Sequence, residues 1–368
     1  MAPAKFSVAL CVALLFACAI PALAQLSPSV PDPLARIRDA AKSNVQACSA
    51  TGETLCEQVA PKIVAMAEED SRLDANLRRL FEAVRNLQSI NQPVAAEWAV
   101  ASFRDANVDV HMEKYPLHAP RSVMGPQEGE DVVAEIRGRE KPDEWVLLGA
   151  YLGSPSPGLE EACNAASVIE AARDIQLTGI HPRRSIRFVL FVPGEFASLH
   201  YVQAHRKEID RASAVIILAA AANPVTGFVL NGRHDIEPGV KDALNPIAAM
   251  GVTHHTFDAP LEPYSLFFLL EGIPTLLAPS PDTGGRHFAS TNSPKTLGIQ
   301  ELGELKRNTA IAAVAAFGIA ERAEAIGPRQ SRAEIESLLK SAGLEEQMKD
   351  HRLWPLWESG ERGRMPGQ

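Results

Sequence analysis

The sequence predicts an α/β protein with a mostly parallel, mixed central sheet and helices packed on both of its faces. Segment 145–150 is continuously apolar, which is typical of a strand that is covered on both faces. From about residue 108 onward, such short β-type runs alternate with longer helical segments. This alternation is the pattern of three-layer α/β/α domains, in which each helix crosses back over a parallel sheet.

The individual elements follow in order along the chain. Leu73, Leu77 and Leu80 recur at helical spacing, so segment 34–90 is predicted to be helical. The predicted strands are 108–112, 132–136, 145–150, 186–192, 214–218, 228–230, 252–257 and 275–277. The predicted helices are 162–176, 240–250 and 302–322, and a further amphipathic helix lies within 331–368. The α/β domain is therefore assigned to 34–325, and a C-terminal helix and tail to 326–368.

Residues 1–24 have the composition of a signal peptide. Lys5 supplies a positive charge, 6–17 is an apolar run that is short for a membrane span, and a small-x-small cleavage pattern follows. The mature protein is predicted to begin with a Pro/Ser-rich linker at 25–33 and to be periplasmic or secreted. A lipid-modified Cys18 is the alternative. No later stretch reaches the roughly 18 uncharged apolar residues that a membrane span needs.

The chain carries a formal net charge of −9 and is 46% hydrophobic. An acidic chain without a dense Lys/Arg cluster is not expected to bind nucleic acid. Cys48 and Cys56 flank a Thr-Gly turn, and an exported chain could join them in a local disulfide. Two buried thiols on adjacent helical turns are the alternative. Cys163 lies in an Ala-rich helical run, so it is predicted to be a core residue rather than a nucleophile paired with His181.

Seven short segments follow one another in an order and at spacings that are specific only when taken together. They are 130–138, 146–150, 157–158, 171–173, 182–188, 271–274 and 284–287. Together they resemble the co-catalytic zinc exopeptidases of metallopeptidase family twenty-eight, which include leucine-type aminopeptidases and plasma glutamate carboxypeptidase. The resemblance covers about residues 73–322. It implies the three-layer fold predicted above, with function at the carboxyl ends of the parallel strands.

The resemblance implies two zinc ions held by histidine and carboxylate side chains, but several of the implied positions are replaced. The first His ligand falls at Ala150, its orienting Asp at Leu152, and the later Asp ligand at Ala219. The Glu that acts as general base falls at Gly194, which has no side chain. Zinc is bound by imidazole, thiolate and carboxylate donors, and aliphatic groups cannot replace them. A positioned base that deprotonates metal-bound water is worth about 10²–10⁴ in rate, so these losses predict an inactive protein.

Three positions of the implied site keep a potential ligand. The bridging Asp falls at Glu160, the Glu ligand at Glu195 and the last His at His287. Because each ion of a matched pair needs about four donors, these residues could hold at most one weakly bound zinc ion, and no other cofactor is expected. His200 and His205 share a predicted helix, but their spacing along it is poor for a shared metal ion.

These substitutions lead to three hypotheses about function. In the first, the chain is an exported, catalytically inactive relative of the exopeptidases, and its former substrate cleft binds a peptide or a protein partner. In the second, it is an active metallo-exopeptidase with a reduced or misaligned metal site. In the third, it is an accessory protein whose cleft is filled by apolar side chains such as Leu152 and Ala219. The first hypothesis is the one that the missing ligands favour.

Overall fold

The computed structural model describes residues 55–85, 94–117, 127–152, 159–191, 197–279 and 297–359. All of them belong to one compact unit that begins at Gly52. The predicted signal peptide at 1–24, Cys18 and the linker at 25–33 lie outside the described residues. The predicted disulfide between Cys48 and Cys56 also lies outside them, because neither side chain is described. These four assignments stay predictions.

A six-stranded mixed sheet forms the centre of the molecule. Its strands are β1 (Asp109–Leu117), β2 (Gln127–Ile136), β3 (Lys141–Tyr151), β4 (Arg184–Phe191), β5 (Ala212–Leu218) and β6 (Thr275–Ala278). They lie in the order β1-β2-β4-β3-β5-β6. Strands β4, β3, β5 and β6 run parallel to one another, and β2 and β1 extend the sheet in antiparallel fashion at one edge. The predicted fold class is therefore confirmed.

Helices cover both faces of this sheet. They are α1 (Leu55–Glu69), α2 (Leu73–Arg85), α3 (Val94–Asp105), α4 (Leu159–Leu177), α5 (Ala197–Ala204), α6 (Glu237–Leu244), α7 (Pro263–Leu269), α8 (Ile299–Glu321), α9 (Arg332–Ser341), α10 (Leu344–Asp350) and α11 (Trp354–Glu358). Helices α1 to α4, α6 and α8 supply one apolar cluster, called here the first core. Helices α5, α7 and α9 to α11 supply the other, the second core.

Strand β3 separates the two cores, because successive residues of a strand point to opposite faces of its sheet. Val146, Leu148 and Ala150 belong to the first core. Trp145 and Leu147 belong to the second core. All five side chains are buried. Burial on both faces is the reason that this strand appears in the sequence as an uninterrupted apolar run.

Two predicted strands are not strands. Val229 forms one isolated parallel bridge with Thr256 and one isolated antiparallel bridge with Leu277. A single bridge to each neighbour does not build a ladder, so the predicted strands at 228–230 and 252–257 do not extend the sheet. Residues 228–230 are apolar because they are buried next to β6, whereas most of 252–257 is exposed or half-buried.

The predicted helix at 240–250 is also shorter than expected. Helix α6 ends at Leu244, and Asn245–Met250 continues as a 3₁₀ turn. Pro246 stands at the start of that turn. Because proline has no N–H to donate and its ring clashes with the preceding turn, an α-helix does not run through it.

The C-terminal segment packs onto the second core. The predicted amphipathic helix is α9, whose Ile335, Leu338 and Leu339 are buried. Trp357 in α11 is also buried, and the guanidinium of Arg332 lies 3.9 Å from the centre of its ring. In the described part of the chain, no helix has both the length and the apolar character needed to cross a bilayer.

Candidate functional site at the carboxyl ends of the strands

The carboxyl end of β3 is packed with aliphatic side chains where the resemblance implies metal ligands. Ala150 pairs with Leu190 on β4 and with Leu218 on β5. Ala150 and Leu152 are both 0% exposed and belong to the first core. The backbone N–H of Leu152 donates to the carbonyl of Phe191 over 3.1 Å, which continues the strand pairing. Neither side chain offers a donor to a metal ion.

Tyr151 lies between these two residues and points to the opposite face of the sheet. Its ring centre lies 3.8 Å from that of Tyr264 and 5.5 Å from that of Phe191. Its hydroxyl oxygen accepts a hydrogen bond from the backbone N–H of Ser198, at the start of α5, over 3.3 Å. Burial raises the pKa of the Tyr151 hydroxyl, so it stays protonated at neutral pH. Sequence reasoning missed this aromatic group.

The loop after β5 begins with Ala219, at the position where the resemblance implies a carboxylate ligand. The backbone N–H of Ala219 donates to the carbonyl of Ala278 on β6 over 2.9 Å. Ala219 is partly buried against the second core. Ala150 pairs with Leu218, the residue before Ala219. The two alanines therefore lie together at the carboxyl ends of β3 and β5, as the resemblance implies.

Two buried asparagines hold this loop through its backbone. The amide oxygen of Asn164, on α4, accepts from the N–H of Ala221 over 2.7 Å. The amide nitrogen of Asn308, on α8, donates to the carbonyls of Ala221 and Asn223 over 3.0 and 2.7 Å. Ala221 has a φ of +49°, a left-handed conformation that costs energy for a residue with a side chain. Side-chain amides therefore fix a strained loop, and the only sequence signal was an asparagine in each Ala-rich helix.

Of the three potential ligands that the sequence retains, the structure describes one. Glu160 lies in the first turn of α4, where a carboxylate also complements the helix dipole. Glu195, Gly194 and His287 lie outside the described residues, so the weak zinc site that Glu160, Glu195 and His287 could form stays a prediction. Within the described ranges, no three His, Cys, Asp or Glu side chains are arranged to hold a metal ion.

Cys163 is not a nucleophile. The thiol is 1% exposed, and burial, with a smaller contribution from Glu160, raises its pKa to about 12. A thiol with that pKa has almost no thiolate at neutral pH. The exposed ring of His181 contacts the carbonyl of Arg137 instead, over 2.8 Å. The predicted core role of Cys163 is confirmed.

A cluster of polar and aromatic side chains lies beside the carboxyl end of β4. The hydroxyl of Tyr115 donates to a carboxylate oxygen of Asp131 over 3.1 Å, and both side chains are buried. The ring of His200, on α5, stacks on Tyr115 at 4.9 Å. Strand β2 runs antiparallel to β4 and pairs Val132 with Leu190. Asp131 therefore lies beside the carboxyl end of β4, at the same end of the parallel strands as Ala150. Phenol and carboxylate groups therefore border the aliphatic end of β3.

The motif at 271–274 has a structural role. Glu271 is 0% exposed, and its carboxylate forms ion pairs with Arg206 and Arg329, the latter over 3.0 Å. Gly272 has a φ of +74°, and a Cβ added there would lie 2.3 Å from the carbonyl oxygen of Gln330. The motif thus fastens the start of β6 to the segment before α9, at the amino ends of the parallel strands and away from the candidate site.

Comparisons with known proteins agree with this fold. No family model matches the chain. A solved Peptidase M28 precursor from Shewanella amazonensis superposes with a TM-score of 0.63 at 15% identity, covering 75% of this chain and 99% of that one. A glutaminyl cyclase from Macrostomum lignano superposes with a TM-score of 0.52 at 12% identity, covering 71% of this chain and 92% of that one. The molecule therefore has the zinc exopeptidase-like α/β/α fold.

A curated relative is also similar in sequence. Carboxypeptidase Q from Rattus norvegicus is 25% identical over 150 residues, which is 39% of this chain. The match spans 32% of that relative, about a third of its length. The predicted resemblance to the zinc exopeptidases is confirmed by the fold and by this local sequence match. A shared fold does not define an activity, because function depends on the side chains of the site.

Proposed function

We propose that this chain is an exported, catalytically inactive relative of the zinc exopeptidases that binds a peptide or a protein partner at its former substrate cleft. The observation that carries the proposal is the end of β3, where Ala150 and Leu152 are fully buried in the first core. The implied ligand and its orienting carboxylate are replaced there by groups that pack and cannot coordinate.

The chemistry of the remaining positions supports the same proposal. A dinuclear zinc centre needs about four donors for each ion. Ala150 and Ala219 supply a methyl group each, and Gly194 supplies no side chain where the resemblance implies the general base. Glu160, Glu195 and His287 together would be too few for two ions. The asparagine contacts to the loop after β5 give that loop a means of support that does not depend on a metal.

The metal test uses the purified full chain after equilibration with zinc sulfate and removal of free ion. Elemental analysis is expected to find no tightly bound zinc, or less than one equivalent that disappears in the triple variant Glu160→Gln, Glu195→Gln and His287→Gln. A panel of dipeptides and aminoacyl anilides is expected to be left intact. Two equivalents of retained zinc, or hydrolysis that a chelator abolishes, would overturn the proposal in favour of an active metallo-exopeptidase.

The prediction that the cleft binds a peptide is supported by the aromatic and polar groups at the carboxyl ends of the parallel strands. Tyr264 is only partly buried and lies against Tyr151, so it is placed to contact a bound chain. Thermal-shift measurements with a panel of unblocked tetrapeptides are expected to identify stabilising sequences. Tyr264→Ala should abolish that stabilisation, whereas Met112→Ala, at an exposed position on β1, should leave it unchanged. If peptides stabilise both variants equally, binding at the carboxyl ends of the parallel strands is refuted.

A further inference from the structure

An imidazole between two carboxylates joins helix α5 to the outer strand of the sheet. His205, directly after α5, has its Nε2 2.7 Å from a carboxylate oxygen of Glu113 on β1. Its Nδ1 lies 2.6 Å from a carboxylate oxygen of Glu208. The His205 side chain is 14% exposed, and Glu113 is 92 residues away in the sequence. We call these three side chains the His205 bridge.

Only the doubly protonated ring can donate to both carboxylates. Neutral imidazole has one N–H, so its other nitrogen would direct a lone pair at a carboxylate. Two further features favour the cation. The N–H of His205 donates to the carbonyl of Tyr201, which places the ring at the carboxyl end of α5, and the Tyr201 ring lies 4.1 Å away. Helix ends of this polarity and aromatic faces both stabilise positive charge.

The two contacts of the bridge differ in what happens when the ring loses a proton. Glu208 also accepts two hydrogen bonds from Arg187 on β4, over 3.1 and 3.2 Å, so it keeps a cationic partner. The second partner of Glu113 is the exposed ring of His111, at 2.9 Å, which is not a permanent cation. Deprotonation of His205 therefore weakens its contact with Glu113, which joins α5 to β1 alongside the stacking of His200 on Tyr115.

The charged and titratable groups around the ring come from four elements and the turn after α5. They are His111 and Glu113 on β1, Glu135 on β2, Arg187 on β4, Tyr201 on α5 and Glu208 after it. From this arrangement we infer that the His205 bridge is a proton-dependent latch. It strengthens the attachment of α5 to the antiparallel strands of the sheet while the ring is charged and weakens that attachment when the ring is neutral.

The direction of the pH dependence follows from the sign of the shift. Burial alone would lower the pKa of His205, but the hydrogen bonds to Glu113 and Glu208 outweigh it, and the pKa is raised above 6.5. The folded state therefore holds this proton more tightly than the unfolded chain does. The stabilisation is complete at pH values below 6.5 and is lost as the pH rises through the raised value. The attachment of α5 to strand β1 should therefore weaken in alkaline solution.

Hydrogen exchange of the full chain, corrected for intrinsic rates and followed by mass spectrometry between about pH 6 and 9, tests the latch. In the wild type, protection of β1 should fall with rising pH, by about tenfold for each pH unit by which the pKa of His205 is raised. Amides that exchange only through global unfolding should follow the same trend, because global unfolding also breaks the bridge. His205→Gln and Glu113→Gln should each give a β1 protection that does not depend on pH, whereas His181→Gln, at an exposed ring outside the bridge, should keep the wild-type profile.

A wild-type protection that is flat across this range, or a His205→Gln variant that keeps the wild-type pH dependence, would overturn the inference. Glu113→Gln decides the question if His205→Gln does not fold, because it leaves the ring in place and removes one carboxylate charge. A histidine-selective NMR titration gives an independent measurement. The resonance missing from His205→Gln should have a midpoint above 6.5, and a midpoint below that value would also refute the latch.

Discussion

Replacing Leu152 by the aspartate that the resemblance implies tests whether the end of β3 is packed core or open cleft. Leu152 is 0% exposed and belongs to the first core. Truncating such a leucine to alanine costs about 2–5 kcal/mol. An aspartate adds the cost of a carboxylate in apolar surroundings, which is several kcal/mol for a single ion. Against a total stability of about 5–15 kcal/mol, Leu152→Asp should lose most of its folded population at neutral pH.

The assay is urea unfolding followed by tryptophan fluorescence, with Leu152→Ala as the control for lost packing and Leu152→Asn as the control for shape and polarity. Burial raises the pKa of a carboxyl group, so the aspartate variant should be most stable at low pH, where the side chain is neutral. It should lose stability as the pH rises, and the asparagine variant should not. Added zinc should not restore it.

An aspartate variant within about 1 kcal/mol of the alanine variant at neutral pH would refute the packing argument. That result would mean that the side chain reaches solvent or a metal ion, and the end of β3 would have to be regarded as an open cleft. Zinc-dependent recovery of the aspartate variant would carry the same implication.

Three further predictions concern groups outside the candidate site. Glu271→Ala should lower the free energy of unfolding by about 3–5 kcal/mol, because it leaves Arg329 mostly buried without its counter-charge; a change below about 1 kcal/mol in urea unfolding would contradict this. Burial, and secondarily a neighbouring carboxylate, raises the pKa of Asp174 well above 3.8, so its folded state holds a proton that is released on unfolding as the pH rises. Asp174→Asn should therefore be more stable than wild type at neutral pH. It should reduce the loss of stability as the pH rises above 3.8, by about 1.4 kcal/mol for each pH unit by which the pKa is raised. An unchanged pH dependence would refute the assignment. Gly272→Ala should lower the free energy of unfolding by well over 1 kcal/mol, because the added Cβ would clash with the carbonyl oxygen of Gln330. Gly251→Ala is the control: its φ of +76° is similar, nothing lies within 4 Å of the added Cβ, and it should cost only about 1 kcal/mol. Equal melting temperatures of the two variants would contradict the clash.

Local pattern predicted the elements that are buried on both faces and failed where burial had another origin. Segment 145–150 was predicted to be a strand because it is apolar throughout, and it lies in the centre of the sheet as β3. Segment 228–230 gave the same signal, but it is buried beside β6 and forms only isolated bridges. Apolar composition reports burial, and a strand additionally needs a partner that runs alongside it.

The residue types at the candidate site could be predicted from the sequence, whereas the contacts that hold them could not. The aliphatic residues at 150, 152 and 219 are visible in the sequence, because a methyl or isobutyl group cannot bind zinc in any fold. The contacts of Asn164 and Asn308 with the loop after β5 were not predictable. Each joins residues more than 50 positions apart, and no local pattern encodes such a distance.

The sequence by itself determined the α/β class and the chemical types available at each strand end, since these depend on periodicity and on side-chain composition. The tertiary structure alone decided the strand order, the antiparallel edge and the partners of His205. The sequence suggested only that His205 was poorly spaced for a metal ion shared with His200. The fold brings to it Glu113 from 92 residues away, because a sheet places side chains together according to strand order and not according to their distance along the chain.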